Sequence, residues 1–234
     1  MYSLNWQRDI KIIKLNGIKA IVKKDKSTKE INEYILIFLY SLISLFLLHP
    51  SPPLKLGKSI MTNEGEENRK KLNEIGIPTP QLYKIDKNTI VEEYIEGGNL
   101  YRYLKNNGDL EIVFKVGVIT GRLHNAGFCF IDNKAQNYLI TKRSDIVRTD
   151  LGLIQKRNST YPKSLDIGLF LSSLIDLDRG KYLKIERKFL EGYRLESKSK
   201  IPYLSIIVRN ISSMGLTSNH YNLISNLLYK MGGE

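Results

Sequence analysis

The stretch from Leu123 to Leu153 reads LHNAGFCFIDNKAQNYLITKRSDIVRTDLGL and decides the fold. Within it, Asp132, Lys134 and Asn137 follow one another closely, and Asp150 comes 18 residues after Asp132. Two short apolar runs separate Asn137 from Asp150. If these runs pair as a β-hairpin, Asn137 comes just before one strand and Asp150 just after the other. Their side chains then converge at one end of the hairpin.

These residue types match the needs of phosphoryl transfer. The reaction requires a carboxylate that orients the attacking hydroxyl, oxygen ligands that hold magnesium on the phosphates, and a cation that steadies the transferred group. Asp132 can supply the carboxylate and Lys134 the cation. Asn137 and Asp150 can supply the oxygen ligands. The segment therefore predicts Asp132 and Lys134 as catalytic residues, and Asn137 and Asp150 as Mg²⁺ ligands.

The same segment resembles the catalytic and metal-binding loops of the protein-kinase-like superfamily, H-R-D-x-K-x-x-N followed by D-F-G. Upstream, Val91–Gly98 (VEEYIEGG) resembles the hinge between the two kinase lobes. Downstream, Leu165–Gly168 (LDIG) resembles the helix whose aspartate braces the catalytic loop, and Phe189–Tyr193 (FLEGY) resembles a late helix of small atypical kinases. The resemblance covers roughly residues 16–193.

The small size, the turn GIPTP at 76–80 and a missing activation-segment signature indicate a subgroup. The chain is similar to the small atypical archaeal Ser/Thr kinases, near the RIO family and the KEOPS-complex kinase. That resemblance implies an α+β, two-lobed protein-kinase-like fold. We expect a small β-rich N-lobe over 1–96, starting with a hairpin around Asn16-Gly17, and a reduced helical C-lobe over 97–234.

The resemblance also implies a lysine in the N-lobe that binds the ATP phosphates. The run 20–23 (AIVK) aligns with the V-A-I-K strand, which makes Lys23 the first candidate. Lys24 is the alternative, and it lies on the other face of the strand. The acidic partner of the lysine is expected on a polar helix at 60–75. There Glu64 lies nearer to the apolar stripe than Glu67, and we predict Glu64.

Two further features follow from the same comparison of motifs. In the hinge-like segment, Glu93 and Ile95 are the predicted cofactor-binding residues. A glycine-rich loop is missing, because the only early glycine, Gly17, belongs to the hairpin turn. Backbone amides that cover the phosphates would then come from residues 2–8 or be absent. Ile131 stands where the superfamily often has arginine, which removes a bracing hydrogen bond but no metal ligand.

One segment is strongly apolar. Residues 34–48 (YILIFLYSLISLFLL) are followed by the proline-rich stretch 49–53, which ends any helix. At about 1.5 Å per residue the segment spans roughly 22 Å, short of a hydrocarbon core of about 30 Å. We therefore predict a helix packed on the N-lobe. A helix that contacts a membrane surface or a partner is the alternative.

The composition of the chain bears on its expected partners and its cellular location. The formal charge is +12, and the basic residues are scattered. Such a balance is typical of proteins with an anionic partner, such as a nucleotide, RNA, an acidic protein or an anionic membrane, and does not choose among them. Cys129 is the single cysteine, so an internal disulfide is excluded and a reducing cytoplasm is the expected location.

Together these features predict an ATP- and Mg²⁺-dependent Ser/Thr protein kinase, or a kinase-like ATPase. ATP and a protein substrate are the expected partners. One alternative is a catalytically weak pseudokinase or RNA-associated scaffold. Loss of the glycine-rich loop favours it, and retention of Asp132, Asn137 and Asp150 opposes it. Another is a small-molecule phosphotransferase of the same fold, although those enzymes usually have a larger helical lobe.

Overall fold

The computed structural model describes residues 8–15, 17–26, 29–106, 108–197 and 200–213. The N-terminal part contains one antiparallel sheet in the order β1-β2-β4-β3. Its strands are β1 (Arg8–Leu15), β2 (Ile18–Asp25), β3 (Leu82–Asp86) and β4 (Thr89–Glu93). The hairpin predicted around Asn16-Gly17 is confirmed. Leu15 lies opposite Ile18 and Gly17 takes the positive φ that a tight turn requires; Asn16 lies outside the described residues.

Three helices fall between β2 and β3. They are α1 (Lys29–Phe46), α2 (Lys58–Glu64) and α3 (Glu66–Glu74). The last two replace the single polar helix that the sequence predicted over 60–75. The chain breaks at Gly65, whose backbone is extended (φ −70°, ψ 169°), so that one helix ends and the next begins there. Glu64 therefore closes one short helix instead of standing in the middle of a long one.

The C-terminal part is mainly helical. Its helices are α4 (Leu100–Lys105), α5 (Glu111–Asn125), α6 (Thr160–Ser172), α7 (Arg179–Glu196) and α8 (Leu204–Ser213). Two small sheets accompany them, one pairing β5 (Phe128–Cys129) with β8 (Gln155–Lys156) and one pairing β6 (Tyr138–Ile140) with β7 (Ile146–Arg148). The molecule is thus α+β, with a β-sheet N-lobe and a helical C-lobe, and the predicted fold class is confirmed. A boundary between residues 96 and 97 stays a prediction.

Helices α5 and α7 pack with their backbones in close approach, and this contact organises the core of the helical lobe. A Cβ on Gly117 would lie 2.1 Å from the Phe189 carbonyl oxygen, and a Cβ on Gly192 would lie 2.1 Å from the Phe114 carbonyl oxygen. Because any side chain at either position would collide with backbone, the two helices need glycine at both. Around this contact, buried apolar residues of α4, α5, α6 and α7 form one continuous core.

The link between the lobes is held against β6. A Cβ on Gly97 would lie 2.0 Å from the Ile140 carbonyl oxygen, and the Gly98 carbonyl accepts a hydrogen bond from the Ile140 amide at 2.9 Å. Gly98 has a positive φ of 76°. The glycine pair therefore lets the chain pass close to the hairpin that carries Asn137 and Asp150.

Helix α1 is confirmed as a helix, but it packs on a different surface from the one predicted. Its buried face contacts the helical lobe: the rings of Tyr40 and Tyr161 are 5.0 Å apart, and Cys129 and Ile131 belong to the same apolar cluster. The reason lies in the segment that follows α1. Lys55 exchanges two hydrogen bonds with Gln155 (3.1 and 2.9 Å), which ties this part of the chain to the helical lobe instead of the sheet.

None of the helices in the described part of the chain is both long enough and apolar enough to cross a bilayer. This agrees with the length argument made for residues 34–48.

Candidate active site

The hairpin of β6 and β7 brings the predicted metal ligands together, as the sequence indicated. Tyr138 lies opposite Arg148, and the Thr149 amide donates to the Asn137 carbonyl at 3.0 Å. Asn137 and Thr149 therefore close the open end of the hairpin, and Asp150 follows directly. The arrangement results from two short apolar strands whose side chains are mostly buried beneath the site.

Asp132, Lys134 and Asn137 are in direct contact. Lys134 Nζ lies 2.6 Å from Asp132 Oδ1, and the Asn137 amide nitrogen donates to the Asp132 carbonyl (2.8 Å) and to Asp132 Oδ2 (3.3 Å). The neighbouring carboxylate of Asp132 raises the pKa of Lys134, so this lysine stays charged. Since the amide nitrogen of Asn137 is used on Asp132, its side-chain oxygen is the atom suited to a cation.

Asp150 has an unusual backbone conformation and a half-exposed side chain. Its φ is 61°, a left-handed conformation that non-glycine residues rarely adopt, and its side chain is 48% exposed. Its depth in the cleft would by itself raise the pKa. The positive charges of Lys23, Arg8 and Arg148, and more weakly of Lys134, outweigh this and lower the pKa of Asp150. The carboxylate is thus ionised and open, as a metal ligand must be. Strained conformations of this kind cluster at functional sites.

A buried aspartate holds the loop that leads into Asp132. Asp166 accepts hydrogen bonds from the amides of Phe130 and Ile131, both at 2.7 Å, and lies 3.0 Å from His124 Nε2. His124 also contacts the Tyr193 hydroxyl at 2.9 Å. All of these groups are buried. The structure therefore gives Asp166 the bracing role that the resemblance implied, and it gives His124 a positioning role beside it.

A second group of buried charges joins the sheet to α2 and α3. Glu92 contacts Lys23 Nζ and Arg69 Nη2, each at 2.7 Å. Glu64 contacts Arg69 at 3.3 Å and Arg8 at 2.7 Å, and Arg8 also contacts Asp25 at 3.0 Å. Each side chain in this group is less than a tenth exposed. We call this group the charge network.

The charge network corrects one expectation. Lys23 was predicted to pair with Glu64, but its carboxylate partner is Glu92 on the adjacent strand. Glu92 lies opposite Ile21, two residue pairs from Lys23 and on the same face of the sheet, within reach of the long lysine side chain. Arg8 pairs with Glu64 in its place. Glu67, the alternative, is exposed and pairs with Lys71 on its own helix.

Lys23 is the lysine that faces the cleft, and Lys24 faces solvent. Lys23 is 5% exposed, and its ammonium group also donates to the Thr149 hydroxyl at 2.8 Å. Thr149 immediately precedes Asp150, so Lys23 reaches the end of the hairpin that carries the predicted metal ligands. Burial alone would lower the pKa of Lys23, but the nearby carboxylates of Glu92, Asp150 and Glu64 raise it.

Comparison with known proteins identifies relatives of this chain. No protein-family model matches the chain. Over 125 residues it is 30% identical to a probable serine/threonine-protein kinase BUD32 homolog of Archaeoglobus fulgidus, covering 53% of this chain and 61% of that protein. Over 138 residues it is 28% identical to the EKC/KEOPS complex subunit BUD32 of Enterocytozoon bieneusi, covering 53% and 66%. The homologues of this chain are Bud32-type, kinase-like proteins.

A third relative is much longer. A probable bifunctional tRNA threonylcarbamoyladenosine biosynthesis protein of Methanocaldococcus jannaschii is 29% identical over 125 residues, which cover 53% of this chain but only 23% of that protein. The chain thus matches less than a quarter of the bifunctional relative, and 61% and 66% of the two Bud32 relatives. The resemblance to small archaeal kinase-like proteins that the motifs indicated is confirmed.

Two arginines of this kinase-like site were missed by sequence reasoning. Arg8 Nη1 lies 3.6 Å from Asp150 Oδ1, whereas the sequence had suggested only backbone amides of residues 2–8 for the cleft and no role for the Arg8 side chain. Arg148 is fully buried between the rings of Phe130 (4.3 Å) and Tyr138 (4.9 Å) and donates to the Asp132 carbonyl at 2.9 Å. The bracing hydrogen bond thought lost at Ile131 is therefore supplied from β7.

The remaining predicted residues lie at the hinge. The Glu93 amide donates to the Gln81 carbonyl at 2.9 Å, and its side chain accepts from the Gln81 amide at 3.1 Å. Ile95 is partly exposed, two residues beyond the end of β4. Phosphate-covering amides were expected from residues 2–8; residues 2–7 lie outside the described part of the chain, and Arg8 is the first residue of β1.

Proposed function

We propose that this chain is a Mg-ATP-dependent kinase-like enzyme that transfers the γ-phosphoryl group of ATP to a hydroxyl acceptor. One observation carries the proposal. Asp132, Lys134, Asn137 and Asp150 meet at one end of the β6–β7 hairpin, and Lys23 reaches the same point through Thr149. A carboxylate, two oxygen ligands and two cations in one half-open site are the components that phosphoryl transfer uses.

The donor set fits Mg²⁺. Asp150 offers an ionised, accessible carboxylate and Asn137 an amide oxygen, and hard oxygen ligands of this kind suit magnesium bound to nucleotide phosphates. When bound, the ion would neutralise charge on the phosphates. The positive charges of Lys23 and Arg8 lie close to Asp150 and would attract the negatively charged phosphates of the nucleotide.

Asp132 and Lys134 have complementary roles in the proposed reaction. The carboxylate of Asp132 is held by Asn137 and Lys134, and it is partly exposed towards the cleft. It would orient the acceptor hydroxyl and take its proton. Lys134, held in the charged state, would stabilise the transferred group.

Apolar residues of the sheet can cover the base of the nucleotide. Ile10 and Ile12 are 50% and 59% exposed although they belong to β1. The register places Ile10 opposite Lys23 and Ile12 opposite Ile21, so all four share the sheet face that looks into the cleft. We propose that Ile10, Ile12 and Ile21 form the roof of the purine site, with Glu93 and Ile95 at its edge.

We propose a Ser or Thr side chain of a protein as the acceptor, since one relative is named as a probable serine/threonine-protein kinase. A second candidate is ATP hydrolysis coupled to tRNA modification. The names of the bifunctional relatives and the formal charge of +12 favour it, because a basic surface suits RNA. In either case we propose that residues 1–96 and 97–234 form the two lobes around the nucleotide.

One experiment tests the proposal and separates these acceptors. Purified protein is incubated with Mg²⁺ and γ-labelled ATP, and labelled protein and released phosphate are measured separately, with and without tRNA. Asp132→Asn should abolish both products while nucleotide binding persists. Asp145→Asn, an exposed aspartate in the turn of the same hairpin, should retain both activities. Activity that survives Asp132→Asn would refute the assignment.

A further inference from the structure

Helix α1 carries an exposed apolar seam. Ile31, Ile35, Phe38, Leu42 and Leu45 are 64%, 46%, 64%, 48% and 63% exposed. Their spacing is four, three, four and three residues, which is the a/d pattern of helices that pair along their length. We call these residues the α1 seam.

The exposure of the seam is not due to a loosely attached helix. On the opposite face, Tyr40 is 3% exposed and Ser44 is 1% exposed, and the Tyr161 hydroxyl donates to the Tyr40 carbonyl at 3.2 Å. The helix is thus fixed on its own chain by one face. The other face carries the exposed apolar residues from Ile31 to Leu45.

The exposed area is large for a surface that meets only water. Further apolar side chains flank the seam, namely Tyr34, Leu39, Phe46 and Leu48. With about 150–250 Å² for each large side chain, the exposed fractions amount to roughly 1,000 Å², against the roughly 300–600 Å² of the largest patch on a typical monomer. A face of this kind needs a cover.

We propose that the α1 seam is covered by the α1 seam of a second copy of this chain. Two such faces would bury about 2,000 Å² in total, which is the size of a stable, specific interface. The seam is also self-complementary, as the isologous interface of a two-fold dimer requires. Its period of 3.5 residues is the one at which a facing helix keeps contact along the whole seam.

Charge argues against an anionic lipid surface as the cover. From Ile31 to Leu48 the sequence contains neither lysine nor arginine. Helices that lie on anionic membranes are rich in these residues on the face beside the apolar one. The seam therefore has the apolar residues of such a helix but lacks the basic residues. Pairing with a second copy of the chain does not require basic residues.

The first test is the mass of the full chain in solution, measured by light scattering across a range of concentrations. We expect twice the chain mass of 26.9 kDa. Leu42→Asp should convert the dimer to a monomer, and Leu183→Asp should leave it intact. The control is matched, because Leu183 on α7 is also a leucine that is 48% exposed. Circular dichroism shows whether each variant is folded.

The second test does not depend on a destabilising charge. Phe38 is the middle residue of the seam, so it lies near its counterpart in either helix orientation. Under mild oxidation Phe38→Cys should form a covalent dimer, and Leu195→Cys, at a 72% exposed position of α7, should not. The native Cys129 does not compete, since it is buried and burial raises the pKa of its thiol.

A full chain that is monomeric at tens of micromolar, and whose Phe38→Cys variant does not crosslink, would overturn the proposal. Vesicles of phosphatidylserine and phosphatidylcholine then identify the alternative. Sedimentation of the monomer with these vesicles, lost in Leu42→Asp, would assign the seam to a membrane surface. Failure to sediment would mean that another part of the chain covers it.

Discussion

Replacing Glu92 with glutamine removes one buried charge from the middle of the charge network. The carboxylate of Glu92 is 2.7 Å from both Lys23 and Arg69, accepts from the Thr149 hydroxyl at 3.1 Å, and is 2% exposed. Glutamine keeps the shape but leaves two buried cations without this partner. Removing one member of a buried ion pair costs about 3–5 kcal/mol.

The lower end of that range is expected at Glu92. Arg69 keeps Glu64 at 3.3 Å, and Lys23 keeps the Thr149 hydroxyl at 2.8 Å, so neither cation loses every contact. We predict that Glu92→Gln lowers the free energy of unfolding in urea by about 3 kcal/mol, a large part of a typical total of about 5–15 kcal/mol.

The same variant has a predictable pH dependence. Burial would raise the pKa of Glu92, but Lys23 and Arg69 outweigh it and lower the pKa below its usual value. A carboxylate with a lowered folded-state pKa stabilises the protein above its unfolded pKa, which is about 4.3 for glutamate. That contribution is lost as the pH falls through the folded-state pKa. The stability difference between parent and Glu92→Gln should therefore shrink on acidification.

The control for this experiment is Glu67→Gln. Glu67 is 84% exposed and pairs with Lys71 on the helix surface, so we expect no measurable change. A Glu92→Gln variant as stable as the Glu67→Gln variant at neutral pH would refute the reasoning. It would show that the network does not hold the sheet to α2 and α3.

Three further predictions concern the site and the core. Asp150→Ala should lose the magnesium-dependent part of the increase in melting temperature that ATP causes. A ligand at 100 times its dissociation constant stabilises the folded protein by about 2.7 kcal/mol. An unchanged increase would disprove the metal-site assignment. Lys23→Met should weaken stabilisation by ATP more than Lys24→Met, since only Lys23 is buried in the cleft, and the reverse order in a thermal-shift titration would contradict the register. Gly117→Ala should destabilise the fold by about 1–3 kcal/mol in urea, because its Cβ would lie 2.1 Å from the Phe189 carbonyl oxygen; Gly180→Ala, whose Cβ meets only a flexible side chain, should not destabilise it.

The local patterns in the sequence were sufficient to predict the hairpins and to predict that Asn137 and Asp150 lie at one end of the second hairpin. The β6–β7 hairpin formed where two short apolar runs flank polar residues, and it brought Asn137 and Asp150 to one end. The residues before the first strand and after the second strand of such a hairpin are separated by only a short stretch of chain. Their convergence therefore needs no knowledge of distant contacts.

Contacts between segments that are distant in the sequence could not be predicted from local patterns. Arg8 and Glu64 are 56 residues apart, and nothing in the residues around either indicates that they meet. Similarly, α1 was recognised as a helix from its apolar run, but an apolar run does not specify which surface it covers.

The anchoring of α1 on the helical lobe has a mechanical consequence. The chain leaves the sheet after β2, runs along the helical lobe as α1, and returns to the cleft as α2 before it reaches the hinge. The two lobes are therefore connected twice, once through the hinge and once through the segment that carries α1. Rotation about Gly97 and Gly98 alone cannot open the cleft without pulling on Tyr40 and Tyr161 or on the Lys55–Gln155 hydrogen bonds. We expect this tether to restrict how far the lobes separate when a nucleotide enters or leaves.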